Sequence, residues 1–180
     1  MSRYVDALLT AARATLGIHE EGGNNRGPRI DDWLYAVGCP TGQPWCAAYV
    51  YAMHAIASKA LGVVNQCPRT ASSHAMWTMT DPNKRSRLPA PGDVFVLDHS
   101  GDPNTGPGHV GIVELVTPDG ETIVSIEGNT NAAGSREGNQ VAKHTWKPSE
   151  GKRGTLLGYL SIGPTDAELA TLPPSAHGSM

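Results

Sequence analysis

Cys46 stands in Gln43-Pro44-Trp45-Cys46-Ala47-Ala48-Tyr49-Val50, where a proline leads into an apolar helical run. Proline ahead of such a run places the cysteine in the first turn of a helix, among backbone N–H groups with no intrahelical acceptor. Those amides and the helix dipole favour an anion, so the thiol is biased toward thiolate, the form that attacks an acyl carbon. A small buried cysteine at a helix start is the competing structural reading, and position alone does not separate the two. Cys39 and Cys67 lie in loops beside prolines and read as structural.

A nucleophilic cysteine needs a base, and seven histidines compete: His19, His54, His74, His99, His109, His144 and His177. His54 lies on the same helix as Cys46, about 12 Å of rise away, too far to bond its sulfur. His177 falls near the chain end and His19 abuts a glycine-rich loop. His109 opens an apolar strand in Gly106-Pro107-Gly108-His109-Val110-Gly111-Ile112-Val113, flanked by glycines that let another backbone or a substrate come close. His99, in a loop after a strand, is its nearest rival. The imidazole in turn needs an orienting partner. Glu127-Gly128-Asn129 closes a strand expected to pair with the His109 strand through the turn Pro118-Asp119-Gly120. Either Glu127 or Asn129 can reach the ring, and Glu127 is favoured because a carboxylate stabilises the protonated imidazole. A strand-end carboxylate beside a turn asparagine is the plain alternative.

Cysteine at a helix start, then Gly-His on a strand, then a polar residue on the next strand is the order of a papain-like catalytic site. Pro44-Trp45-Cys46-Ala47-Ala48-Tyr49-Val50, Pro91-Gly92-Asp93-Val94, Gly108-His109-Val110-Gly111-Ile112-Val113 and Glu127-Gly128-Asn129 together resemble the CHAP domain (cysteine, histidine-dependent amidohydrolase/peptidase). That family supplies many phage endolysins and bacterial cell-wall hydrolases. The resemblance spans roughly residues 18–162. It implies a papain-like α+β fold, Cys46 as nucleophile, His109 as base, and Glu127 with Asn129 completing the site. The implied substrate is bacterial peptidoglycan, cut at an amide bond as an N-acetylmuramoyl-L-alanine amidase and/or endopeptidase. Asn25-Arg26-Gly27-Pro28-Arg29-Ile30-Asp31 also looks like the segment ahead of the cysteine in some phage members. Trp45 and Asn25 are candidate substrate-binding residues, with Trp33 and Trp77 as further candidates for the cleft wall. Some relatives bind calcium through aspartates just before the cysteine. Here residues 37–45 contain no carboxylate, and the adjacent Asp31 and Asp32 point different ways from a helix. No metal site and no cofactor is expected. Two other readings use the same residues: an antibacterial amidase delivered by a secretion apparatus, and a non-catalytic wall-binding module on a papain-like fold.

Elements that would position these residues follow from periodicity. Residues 2–16 place Val5, Leu8, Leu9, Ala12 and Leu16 on one helical face, with Ser2 as cap. Pro28 opens a short helix ending at Gly38, and residues 45–60 form an Ala-rich helix apolar nearly all round, hence buried. A fourth helix starts at a Thr70 cap. From Pro91 onward the pattern changes to strands at 94–97, 109–116, 122–127, 140–146 and 156–162. Helices followed by strands indicate an α+β domain, N-terminal helices packed on a central antiparallel sheet of about five strands.

The chain has 180 residues, room for one domain over 1–162 with a flexible tail or linker over 163–180. Its formal net charge of −3 disfavours nucleic acid as a partner. The basic runs Lys84-Arg85-Ser86-Arg87 and Lys152-Arg153 read as solvated loops. Three cysteines without a Cys-x-x-Cys pair point away from a disulfide framework and a structural zinc. No apolar run is long enough to span a bilayer, and no membrane partner is expected. Met1-Ser2-Arg3-Tyr4-Val5-Asp6 does not read as a secretory leader. The expectation is therefore a monomer that meets the cell wall, in the periplasm or outside the cell, after phage- or secretion-system-dependent delivery.

Overall fold

The computed structural model describes residues 1–101, 107–131 and 138–171. Four helices precede the main sheet: α1 (Arg3–Arg13), α2 (Pro28–Ala36), α3 (Cys46–Ala60) and α4 (Ser73–Met79). Ser2 caps α1 as its sequence suggests, accepting from the Val5 N–H at 3.2 Å. The cap of α4 is Ser72, not Thr70; its hydroxyl accepts from Ala75 N–H, while Thr70 Oγ1 accepts from the Ser72 N–H just outside the helix. Both residues can cap, and tertiary packing chose between them. The α3 helix has buried residues on every side, from Cys46 and Tyr49 to His54 and Ser58.

The sheet has six antiparallel strands: β1 (Arg85–Ser86), β2 (Val94–Asp98), β3 (Gly108–Val116), β4 (Ile123–Thr130), β5 (Gln140–Trp146) and β6 (Thr155–Leu160). Their spatial order is β1-β6-β2-β3-β4-β5. The two-residue β1, paired with β6 through Arg85 and Leu160, is the strand that sequence patterning does not show. With the helices ahead of it, this sheet makes a papain-like α+β fold. The expected pairing of the His109 strand with the Glu127 strand is present, with Ile112 opposite Ile126.

All five residues of β2 are buried, because both faces of the sheet are covered there. Val94 and Val96 join the main core with α1 and α3, while Phe95 and Leu97 join a second cluster with Val113, Ile123 and Tyr159. A strand buried on both sides reads as a continuous apolar run, as Val-Phe-Val-Leu does.

Packed structure does not stop at residue 162. Ile162 is buried, and a short helix α5 (Asp166–Thr171) follows, with Leu169 buried and Asp166 Oδ1 accepting from the Arg3 N–H at 2.9 Å. Residues 163–171 therefore belong to the folded unit rather than to a tail. The segment is too short and too polar for periodicity to register, and Leu169 docks it on the core. The rest of the expected tail, 172–180, lies outside the described residues.

Candidate active site

Cys46 is the first residue of α3, with Trp45 in the N-cap position and no side chain bonding the helix start. The first-turn amides are thus left for other acceptors. Burial by itself pushes the Cys46 thiol up, but the neighbouring His109 and the backbone amides of Val110 and Ala47 outweigh it and bring the thiol below its ordinary value.

His109, in β3, is 2% exposed and sends Nε2 to Glu127 Oε2 at 2.8 Å. That leaves Nδ1 for the thiol; it closes no hydrogen bond of full geometry, so sulfur and ring interact across a looser contact. Burial alone would depress the imidazole, but Cys46 and Glu127 on its two sides overcome this and push it up to about 9. A thiol brought down beside an imidazole pushed up favours a thiolate–imidazolium pair, and the two titrate as a unit.

Glu127 is completely buried, and burial opposes its ionisation. The hydrogen bonds and charges of Arg153 and His109 reverse that and hold the carboxyl far below the usual carboxylate range. Four donors meet its two oxygens. Arg153 Nη1 reaches Oε1 and Nη2 reaches Oε2, both at 2.7 Å. Ser125 Oγ donates to Oε1 at 2.6 Å, and His109 to Oε2. Ser125 in turn accepts from Trp146 Nε1 at 3.0 Å, and the Arg153 guanidinium lies over the Trp146 ring, 4.9 Å from its centroid.

Two glycines make this assembly possible. A Cβ at Gly111 would lie 2.6 Å from Glu127 Cγ and 2.7 Å from the Phe95 ring, so only a bare backbone lets the carboxylate cross β3 to reach His109. A Cβ at Gly128 would lie 2.7 Å from both Trp45 and Tyr49, so β4 presses directly on the first turn of α3. The pairing of β4 with β5 shifts register between Glu127 and Thr130, and Asn129 adopts φ 55°. This bulge interrupts the regular alternation of the strand at Gly128 and Asn129. Asn129 is buried, and it is Glu127 that contacts the ring.

The other candidates take different places. Trp45 is wholly buried: its indole N–H donates to Glu20 Oε1 at 3.0 Å and its ring packs on Trp33 and Tyr49. It is a core residue rather than a wall of the cleft, because the glycine at 128 lets β4 close over it. Trp33 is buried in the same cluster. Trp77 carries the Arg85 guanidinium at 4.8 Å. Asn25 is 7% exposed in a left-handed turn, where its carbonyl accepts from the Gly42 N–H. That is a structural duty of its backbone. His99 lies against Gly154 rather than Cys46. His74 forms a separate buried pair with Asp98 at 3.3 Å, packed on Gly108. Among the described residues no group of three or more His, Cys, Asp or Glu is arranged to hold a metal ion.

Arg153 is the residue that sequence reasoning missed. Expected in a solvated loop, its side chain is 13% exposed and forked onto a buried carboxylate. Arg85 departs from the same expectation, bonding the carbonyls of Thr78 and Thr80. Nothing in Gly151-Lys152-Arg153-Gly154 distinguishes the arginine from its solvated neighbour. Ser125, Trp146 and Phe95 were likewise indistinguishable from ordinary strand residues.

A papain-like α+β fold carrying a helix-start cysteine, a strand histidine and a buried carboxylate defines a class of hydrolases of the amidase and peptidase kind. The family model of the CHAP domain matches residues 38–129, which include Cys46, His109, Glu127 and Asn129, and the chain belongs to that family. Comparison with curated proteins gives no match, and comparison with solved structures gives none.

Proposed function

We propose that this protein is a peptidoglycan hydrolase that cuts amide bonds with Cys46 as nucleophile and His109 as base, acting as an N-acetylmuramoyl-L-alanine amidase, an endopeptidase or both. The observation that carries the reading is the buried Cys46–His109–Glu127 array inside a CHAP domain. The Cys46 thiolate attacks the amide carbonyl, and backbone N–H groups at the start of α3 receive the oxyanion. His109 protonates the departing amine. It then takes a proton from water as that water attacks the thioester, releasing the acid and restoring the Cys46 thiolate beside the protonated ring. Glu127 holds the ring by Nε2 and supports its positive charge. Bacterial peptidoglycan is then the partner, with the protein acting as a monomer in the periplasm or outside the cell after phage- or secretion-system-dependent delivery. Nucleic acid and membrane have no part in this reading.

The test is digestion of purified cell walls, followed by turbidity and by mass spectrometry of the released fragments. The parent should clear the suspension and free new amino termini, on L-alanine beside free muramoyl carboxyls for an amidase cut and within the peptides for an endopeptidase cut. Cys46→Ala should fold and release nothing, while Cys39→Ala should retain most of the activity. Fragments released equally by parent and Cys46→Ala would refute the assignment.

A further inference from the structure

We propose that Arg153 is a positioning residue of the catalytic array: its guanidinium, forked onto both oxygens of Glu127, keeps that carboxylate ionised and aimed at His109. The inference rests on the reading of Cys46 and His109 as nucleophile and base. It extends that reading by making a loop arginine part of the pair's proton balance.

A carboxylate removed from water does not remain charged without compensation. His109 supplies one hydrogen bond, to Oε2, and its own charge comes and goes during the reaction. Arg153 supplies a permanent charge and two parallel bonds of 2.7 Å. Its guanidinium is itself fixed, stacked on Trp146, whose indole N–H holds the Ser125 hydroxyl that also donates to Oε1. Each carboxylate oxygen therefore has two donors. In its active form the array reads Cys46 negative, His109 positive, Glu127 negative and Arg153 positive, a buried set with no net charge.

The groups facing this set are Cys46 from α3, His109 from β3, Ser125 from β4, and His144 with Trp146 from β5; β2 contributes the apolar ring of Phe95. Among the described residues His144 is the further titratable side chain that senses Glu127, Arg153 and His109. Burial pushes it down, and its Nε2 is occupied by Thr130 Oγ1 at 3.1 Å. Removing a fixed cation strengthens proton binding at Glu127, His109 and Cys46 alike. The whole pH profile should then move upward rather than merely shrink. Lysine keeps the charge and loses the fork.

The experiment titrates the Cys46 thiolate by its ultraviolet absorbance in the parent, Arg153→Gln and Arg153→Lys. Each is read against its own Cys46→Ala counterpart, with pH profiles of kcat and KM on cell walls and circular dichroism for the fold. Arg153→Gln should move the thiolate titration and the activity limbs to higher pH by on the order of one pH unit. Its loss should fall on kcat with KM little changed. Arg153→Lys should titrate close to the parent while running more slowly. A Gln variant with the parental titration, whatever its rate, overturns the proposal, as does a Lys variant displaced as far as the Gln variant. If the parent leaves peptidoglycan intact while the titration moves as expected, the substrate assignment fails and the role of Arg153 stands.

Discussion

Gly111→Ala adds one methyl group directly against the buried carboxylate side chain of Glu127. The new Cβ would sit 2.6 Å from Glu127 Cγ and 2.7 and 2.9 Å from two atoms of the Phe95 ring, inside the contact limit on both sides. Phe95 is wholly buried, edge-on to Trp146 with centroids 5.2 Å apart, so it has little room to yield. Glu127 is tied by four hydrogen bonds of 2.6–2.8 Å, and the strain must either break some of them or shift β3 away from β4. Overpacking of this kind costs about 1–3 kcal/mol of stability. A carboxylate displaced by about 1 Å loses its bond to His109 Nε2, and misplacement on that scale costs activity on the order of 10²-fold. The assay pairs urea unfolding with the rate of wall digestion. The expected variant folds, is less stable, and is disproportionately slow. Parental rate and parental stability together would show that Glu127 does not depend on the gap left by Gly111, and would refute the placement of the carboxylate.

Replacing Glu127 by Gln should lower the proton affinity of His109 from about 9, because the carboxylate is one of the groups that raise it, so the alkaline limb should retreat to lower pH. Activity should fall about 10²-fold or more, and stability should also fall because Arg153 is left without its anion. Asn129→Ala should be milder; an inactive Asn129→Ala beside a fully active Glu127→Gln would transfer the orienting role. His54, buried in α3 with Nδ1 on the Tyr4 hydroxyl at 3.0 Å, is pushed down by burial from 6.5 to about 3. The unfolded chain thus takes up that proton first, so this contribution to stability is complete above about pH 6.5. It is lost at up to about 1.4 kcal/mol per pH unit as pH falls toward the folded value. His54→Gln should flatten the melting-temperature slope in that window, and identical slopes would contradict the account. Exhaustive chelation should leave wall digestion unchanged, since residues 37–45 offer no carboxylate; a loss restored by calcium would show otherwise.

Cys46, His109 and Glu127 are legible in the amino-acid sequence because each sits where a local rule acts. Proline ahead of an apolar run starts a helix, Gly-His opens an apolar strand, and a Pro-Asp-Gly turn joins that strand to the next; these are short-range effects that start the pairing of β3 with β4, and a bulge between Val113 and Leu115 then shifts its register. Arg153 is not legible there, because the partner of a charged side chain is set by chain segments that meet in space: Glu127 lies 26 positions away, across β5 and its following loop. The burial of Trp45 depended on how closely β4 approaches α3, which the glycine at 128 permits but does not announce. The pairing of β4 with β5 shifts register between Glu127 and Thr130, and period-two alternation contains no information about where it breaks. Sequence determined which groups can react and the strands and helix that carry them. Tertiary packing decided their charges, because desolvation and the placement of a distant cation exist only once the segments have closed around them.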